Sequence, residues 1–198
     1  MNKLNSSIVF FIGFLIQFQS ATGQSAIFTD IYLEPDTIQS GKFKNYEAYD
    51  LGYLTLYKLP RKAEKFIIAT RSTDVEIFSF KKPNKKGYLT KPHFFKSEVA
   101  GQPTIMIADV SDLYSFGVHI FLIDEDMVTH CGFLGYAADN FNFSSLWMYS
   151  HFELQGDKII YTMDNVAYID HANEELVYGS DLKFEITDHS VERIITEE

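Results

Sequence analysis

The chain has 198 residues, of which 46% are hydrophobic and 16% aromatic, and its formal net charge is −10. This content of large apolar side chains excludes a disordered polypeptide, which lacks the apolar surface needed to form a core. The acidic balance argues against a nucleic-acid partner, because a polyanion would be repelled.

The first 23 residues are typical of a signal peptide. Lys3 precedes an apolar run over residues 8–18, and small residues follow at Ala21 and Gly23. The run is too short to cross a bilayer as a helix, which requires roughly 20 residues. We therefore expect no membrane-spanning segment. The predicted mature chain, residues 24–198, is expected in the periplasm or outside the cell.

Residues 24–198 predict a single all-β domain. Short runs of β-branched and aromatic residues alternate with turn residues, and no long helical period interrupts them. This spacing favours an antiparallel β-sandwich or barrel. The predicted strands include 52–59, a hairpin of 66–70 with 75–80, a hairpin of 146–153 with 158–163, and the alternating run 182–187.

The most apolar part of the chain is a predicted central hairpin, residues 118–123 and 127–134, joined by an acidic turn. Both arms are apolar at nearly every position, so both faces of each arm are expected to be covered. We expect Val118, Ile120, Leu122 and Cys131 to be buried. Cys131 is the only cysteine, so no intramolecular disulfide forms, and burial predicts an unreactive thiol.

Charge divides the chain into two halves. Residues 42–96 hold 13 Lys and Arg against 5 Asp and Glu, whereas residues 97–198 hold 3 against 19. Residues 81–87, which include four lysines, a proline and a glycine, predict an exposed basic loop. An uneven distribution of charge of this kind is informative about the protein's surface and its association with partners, and not about its fold.

Two patterns raise the question of a metal ion. A two-residue turn at Asp124 and Glu125 would place His119 opposite His130, and two imidazoles on one face can bind a transition metal. No third ligand is evident, and zinc sites need three or four. The acidic turn 124–126 and residues 139–142 are rich in oxygen but lack the spacing of a calcium loop. The sequence therefore predicts no metal and no cofactor.

Aromatic side chains offer a further candidate surface. Tyr46, Tyr49, Tyr53 and Tyr57 form one series, and Phe141, Phe143 and Trp147 form a second group. Packing in the core is the simpler interpretation of most aromatic residues, but these two groups are the best candidates for exposed rings.

No catalytic motif is present: the sequence has no nucleophile elbow, zinc-protease motif or phosphate-binding loop. The sequence predicts an exported envelope protein of the inhibitor or immunity type that captures a cationic protein partner through an acidic surface. The predicted contact residues are Asp124, Glu125, Asp126 and Asp139. Two alternatives stay open, namely a β-domain that binds a small molecule or carbohydrate, and a glycoside-processing enzyme with paired carboxylates.

Overall fold

The structure is a computed structural model that describes residues 25–59, 65–73, 75–82, 88–111, 115–139 and 145–195. The predicted signal peptide lies outside these residues. The described chain is almost entirely β-strand, which confirms the predicted fold class. The strands are β1 (Ser25–Ile31), β2 (Asp36–Thr37), β3 (Glu47–Asp50), β4 (Leu54–Lys58), β5 (Lys65–Thr70), β6 (Glu76–Lys81), β7 (Tyr88–Ser97), β8 (Thr104–Ser111), β9 (Ser115–Ile123), β10 (Val128–Leu134), β11 (Tyr136–Ala138), β12 (Ser150–Gln155), β13 (Lys158–Met163), β14 (Ala167–Asp170), β15 (Glu175–Tyr178), β16 (Lys183–Ile186) and β17 (Val191–Arg193).

The helical elements within the described ranges are two short 3₁₀ turns, Leu146–Tyr149 and Gly179–Asp181. No helix in this part of the chain is long and apolar enough to cross a membrane.

The strands form three antiparallel sheets. The largest has nine strands in the order β10-β9-β8-β7-β1-β12-β13-β16-β17, and it curves until its two edge strands, β10 and β17, meet. A Cβ atom placed on Gly132 of β10 would lie 3.5 Å from Val191 of β17. The nine strands therefore form a nearly closed barrel. The other sheets have the orders β2-β3-β4-β5-β6 and β11-β14-β15.

Large apolar side chains fill the interior of the barrel. Phe28, Phe152 and Tyr161 lie there, together with the inward-facing residues of the central hairpin. The four residues predicted to be buried are buried: Val118, Ile120, Leu122 and Cys131 are each less than a tenth exposed.

The five-stranded sheet covers the outer face of β7, β8 and β9. Its buried residues Leu56 and Ile68 share a second core with Met106 and Phe121 of the barrel wall. This second layer explains why β9 is apolar on both faces. β10 differs, because it is an edge strand of the barrel and its Phe133 is 42% exposed. The expectation that both arms are covered on both faces is therefore wrong for β10.

Two elements close one end of the barrel, which we call the capped end. The three-stranded sheet contributes Tyr136 and Tyr168 to the barrel core, and the first 3₁₀ turn contributes Leu146. The sequence predicted a strand over 146–153, but the strand begins only at Ser150. Residues 146–149 form the 3₁₀ turn instead, because their backbone binds a buried carboxylate rather than a neighbouring strand.

This carboxylate is Asp109 of β8, which is fully buried. Asp109 Oδ1 accepts a hydrogen bond from the Leu146 N–H at 3.0 Å. The Ser150 hydroxyl donates to the Leu146 carbonyl at 3.0 Å and lies 3.0 Å from the Tyr161 hydroxyl. Burial raises the pKa of Asp109 to about 7, although hydrogen bonds from residues 145–147 oppose the shift. Asp109 thus anchors the turn that closes the capped end.

The predicted basic loop is described only at its start. Lys81 is exposed, but Lys82 is only 4% exposed, and residues 83–87 lie outside the described ranges. The prediction that the loop is exposed from its first residues is therefore wrong at Lys82. The charge of Lys82 lies close enough to His119, in the barrel wall, to help lower the pKa of His119.

Candidate functional site

The acidic turn of the central hairpin is well formed and exposed. The Asp124 N–H donates to the Met127 carbonyl at 2.8 Å, and the Glu125 N–H donates to Asp124 Oδ1 at 2.8 Å. The backbone of the turn is therefore satisfied locally. The side chains of Asp124, Glu125 and Asp126 are left exposed to solvent.

Four connections of the barrel converge at the end where this turn lies. They link β7 to β8, β9 to β10, β12 to β13, and β16 to β17, and they comprise residues 98–103, 124–127, 156–157 and 187–190. These four segments contain six acidic residues and no lysine or arginine. All six are exposed: Glu98, Asp124, Glu125, Asp126, Asp157 and Asp188.

A depression of about 340 Å³ lies beside three of these connections, 98–103, 156–157 and 187–190, and Leu122, near the end of β9, also lines it. Its apolar base is formed by Leu122, Ile159 and Ile186, whose side chains also belong to the barrel core. Its remaining lining residues are mostly polar: Gln102, Pro103, Asp157, Lys158, Glu185, Thr187 and Asp188. The depression and the six exposed acidic residues together form a surface that we call the acidic mouth.

The single lysine that lines the depression does not balance its negative charge. Lys158 Nζ lies 2.8 Å from Glu185 Oε2, so the pair is internally neutral. Hydrogen bonding and the charge of Glu185 raise the pKa of Lys158, which keeps this lysine protonated. The carboxylates of Asp157 and Asp188 add to the charge of the central turn. The acidic mouth is therefore negative at neutral pH.

Two apolar side chains are exposed beside the central turn. Met127 is 53% exposed, and Tyr53, from the connection between β3 and β4, is 40% exposed. The Tyr53 hydroxyl donates to the Ile123 carbonyl at 3.4 Å. Burial raises the pKa of Tyr53, and the charges of Asp124 and Glu125 raise it further. The mouth thus combines carboxylates with an exposed phenol ring and a thioether, and it is the tyrosine and methionine side chains that are enriched at protein-binding surfaces.

The structure does not place the four predicted contact residues together. Asp124, Glu125 and Asp126 lie at the acidic mouth, whereas Asp139 follows β11, beyond the far end of β10. The seven residues of β10 alone span about 20 Å. Asp139 is exposed, and its N–H donates to the Ala167 carbonyl at 2.8 Å, at the capped end.

Three residues of the mouth were missed by the sequence analysis, namely Glu98, Asp157 and Asp188. Each lies in a predicted or plausible turn, but nothing local shows that these turns share one end of a barrel. Only the strand order brings them beside residues 124–126.

The two histidines of the central hairpin are in contact, but not in the predicted register. The turn has four residues rather than two, so His130 pairs with Phe121, and His119 pairs with Phe133 beyond a bulge at Cys131. The diagonal contact still brings His119 Nδ1 within 3.1 Å of His130 Nε2. Burial lowers the pKa of His119 to about 3, with smaller contributions from His130 and Lys82, and burial also lowers the pKa of His130.

Aromatic rings surround this pair of neutral histidines. The ring of Phe80, from β6, lies 4.8 Å from His119 and 4.9 Å from His130, between centroids. The pair therefore helps to join the barrel to the five-stranded sheet. Within the described ranges, no group of three or more His, Cys, Asp or Glu side chains is arranged to hold a metal ion. Of the second oxygen-rich segment, residues 140–142 lie outside those ranges.

Most of the other residues that the sequence suggested as functional, Cys131 and the two aromatic groups, belong to the core or lie outside the residues that the structure describes. Burial raises the pKa of the Cys131 thiol to about 12, which disfavours the reactive thiolate. Tyr49 and Tyr57 are buried, so the tyrosine series is not an exposed face, and only Tyr53 of the four is more than a third exposed. Phe141 and Phe143 lie outside the described ranges, while Trp147 stacks on His93 with ring centroids 3.7 Å apart.

Comparisons of the chain with models of protein families, with curated proteins and with solved structures found no match.

Proposed function

We propose that this protein is an exported binding protein of the inhibitor or immunity type, and that its acidic mouth captures a cationic protein partner. The observation that supports the proposal is the convergence of six exposed acidic residues, without lysine or arginine in the same connections, at the end of the barrel that also holds the depression. Export rests on the signal-like pattern of residues 3–23.

The mouth suits a protein partner in two physical respects. A concentrated negative field at one end of the molecule speeds encounter with a basic surface and orients it. Charge alone gives little affinity once salt screens it, so a stable complex also needs apolar contact. The exposed side chains of Met127 and Tyr53 provide such contact beside the central turn. The depression, with a volume of about 340 Å³, accommodates one long basic side chain with its aliphatic stem.

The mouth is also rigid, because its turns connect strands of the barrel. Leu122 and Ile186 come from strands that are paired along their length with β8 and β13. A preformed surface binds without the entropic cost of ordering a loop, which favours the tight capture expected of an inhibitor.

Affinity capture tests this proposal. The tagged chain of residues 24–198 is incubated with envelope extract of its source at 50 mM and 500 mM salt, beside a mouth variant carrying Asp124→Asn, Asp157→Asn and Asp188→Asn. We expect the unmodified chain to retain a basic protein at low salt, and the mouth variant to retain at least about tenfold less of it.

A far-end variant provides the matched control, since it removes the same charge from the capped end of the barrel. It carries Glu34→Gln, Asp139→Asn and Asp164→Asn, and it leaves the acidic residues beside β15 unchanged. Equal losses from the two variants, or no basic protein at either salt, would contradict the proposal. Hydrolysis of a polysaccharide added to the purified chain would instead support the glycoside-processing alternative.

A further inference from the structure

The three-stranded sheet at the capped end has an apolar outer face. Its inner face contributes Tyr136 and Tyr168 to the barrel core. On the outer face, Ile169 of β14 pairs with Leu176 of β15, and Ala167 pairs with Tyr178. Ile169 is 37% exposed, Leu176 is 55% exposed and Tyr178 is 54% exposed. We call this face the β14-β15 face.

The outer edge of this sheet, β15, pairs with no second strand among the described residues. The Gly179 N–H donates to the Val166 carbonyl at 3.0 Å, so Gly179 and Val166 are a hydrogen-bonded pair. In an antiparallel ladder every second pair of facing residues is hydrogen-bonded, so the pairs of β14 and β15 that follow at intervals of two residues exchange hydrogen bonds as well. These pairs include Val177 with Tyr168. The backbone groups of Leu176 and Tyr178 therefore point away from β14. The two residues with the most exposed apolar side chains also present the free hydrogen-bonding edge.

The segment that forms this edge is acidic, and the nearby cation Arg193 of β17 lies at its far end, where Nη2 donates to the Asp181 carbonyl at 2.9 Å. Residues 164–182 contain five acidic residues and no lysine or arginine. Glu174 and Glu175 are exposed at the start of β15, and Asp181 is exposed just beyond its end. A second copy of this chain docked on the edge would bring the same acidic residues against these. An extended segment that carries lysine or arginine would instead be attracted to Glu174 and Glu175.

We propose that β15 accepts an extended segment of a basic protein as a fourth strand of the three-stranded sheet. Main-chain hydrogen bonds to Leu176 and Tyr178 would provide the pairing, and alternate apolar side chains would cover the β14-β15 face. Basic residues of the segment would lie beside Glu174 and Glu175 at the start of β15. This surface is at the capped end, so the proposal does not depend on the acidic mouth.

A synthetic peptide tests the proposal on the intact chain. The probe has alternating valine and threonine over five positions with two lysines at each end, and a matched peptide carries glutamates in place of the lysines. We expect the lysine peptide to bind and to slow hydrogen exchange at the amides of Leu176 and Tyr178. We expect the glutamate peptide to bind at least about tenfold more weakly.

Two variants separate this edge from other exposed apolar sites. Leu176→Asn is expected to weaken binding of the lysine peptide about tenfold or more. Ile27→Asn changes a β1 side chain that is 71% exposed, and it is expected to leave the affinity within about twofold. Both sites are exposed, so both variants should fold, and circular dichroism checks this.

Three results would overturn the proposal: no protection of the Leu176 and Tyr178 amides, equal weakening by the two variants, or equal binding of the two peptides. Concentration-dependent dimerisation of the unmodified chain that Leu176→Asn abolishes would assign the face to a second copy, and would likewise overturn it.

Discussion

Gly117→Ala is expected to destabilise the folded chain by about 3 to 5 kcal/mol. Gly117 has a φ of +129°, which side-chain-bearing residues rarely adopt. A Cβ atom there would lie 2.0 Å from the Leu134 carbonyl oxygen and 2.8 Å from Cζ of Phe133. Because the carbonyl belongs to the paired strand, β10 would have to move.

Gly52→Ala is the matched control for this prediction. Gly52 also has a positive φ, +92°, but a Cβ atom there would meet nothing within 4 Å. This variant therefore measures backbone strain alone, about 1 kcal/mol. Urea unfolding of the two variants and the unmodified chain gives the comparison. If Gly117→Ala loses no more stability than Gly52→Ala, the close approach of β10 to β9 is wrong, and so is the position of the acidic turn that joins them.

The second large effect concerns pH. The buried Asp109 has a pKa of about 7, above the value of 3.8 for an unperturbed carboxyl. The folded chain therefore holds a proton that the unfolded chain releases between these two values. Stability from this group is fully present below about pH 4 and is lost as the pH rises through 7. The loss is on the order of 4 kcal/mol, since the two values lie about three pKa units apart and one pKa unit corresponds to 1.36 kcal/mol.

Asp109→Asn removes this titration and keeps an oxygen that can accept the Leu146 N–H. We expect the free energy of unfolding of the variant to change less than that of the unmodified chain between pH 5 and pH 8. Urea unfolding at several pH values provides both curves, and their difference isolates Asp109 from the other carboxyl groups. Parallel curves would show that Asp109 does not carry the buried proton. Asp109→Ala should lose stability at every pH, because the N–H group then lacks its acceptor.

Local patterns were sufficient to predict the fold class and several hairpins. The two apolar runs within 118–134 and the acidic turn between them predicted β9 and β10, and the short loop at 71–74 predicted the pairing of β5 with β6. The burial of Cys131 followed from its place in an apolar arm. These features depend on residues that are close in sequence, where propensity and turn chemistry are informative.

The predictions that were wrong concern features that depend on contacts between residues far apart in the sequence. The register of His119 and His130 was wrong because the turn has four residues and Cys131 forms a bulge, neither of which the apolar pattern specifies. Residues 146–149 leave the predicted strand because they bind Asp109, 37 residues earlier. A tertiary contact of this kind overrides local strand propensity.

For the acidic mouth too, only the part that depends on local sequence could be predicted. The sequence identified the central turn as acidic, and the structure confirms that Asp124, Glu125 and Asp126 are exposed. The strand order, with β1 inserted between β7 and β12, could not be read from the sequence. This order brings Asp157 and Asp188 to the mouth and leaves Asp139 at the other end.

The central claim is that the acidic mouth, rather than the overall acidity of the chain, recruits a cationic partner. The most direct test measures the association rate constant of the captured basic protein with three proteins at 50 mM and 500 mM salt: the unmodified chain, the mouth variant and the far-end variant. We predict that the mouth variant associates about tenfold more slowly at 50 mM salt, that the far-end variant stays within about twofold of the unmodified chain, and that the three rates converge at 500 mM salt. Equal slowing of the two variants at low salt, or a rate for the unmodified chain that does not change with salt, would contradict the claim.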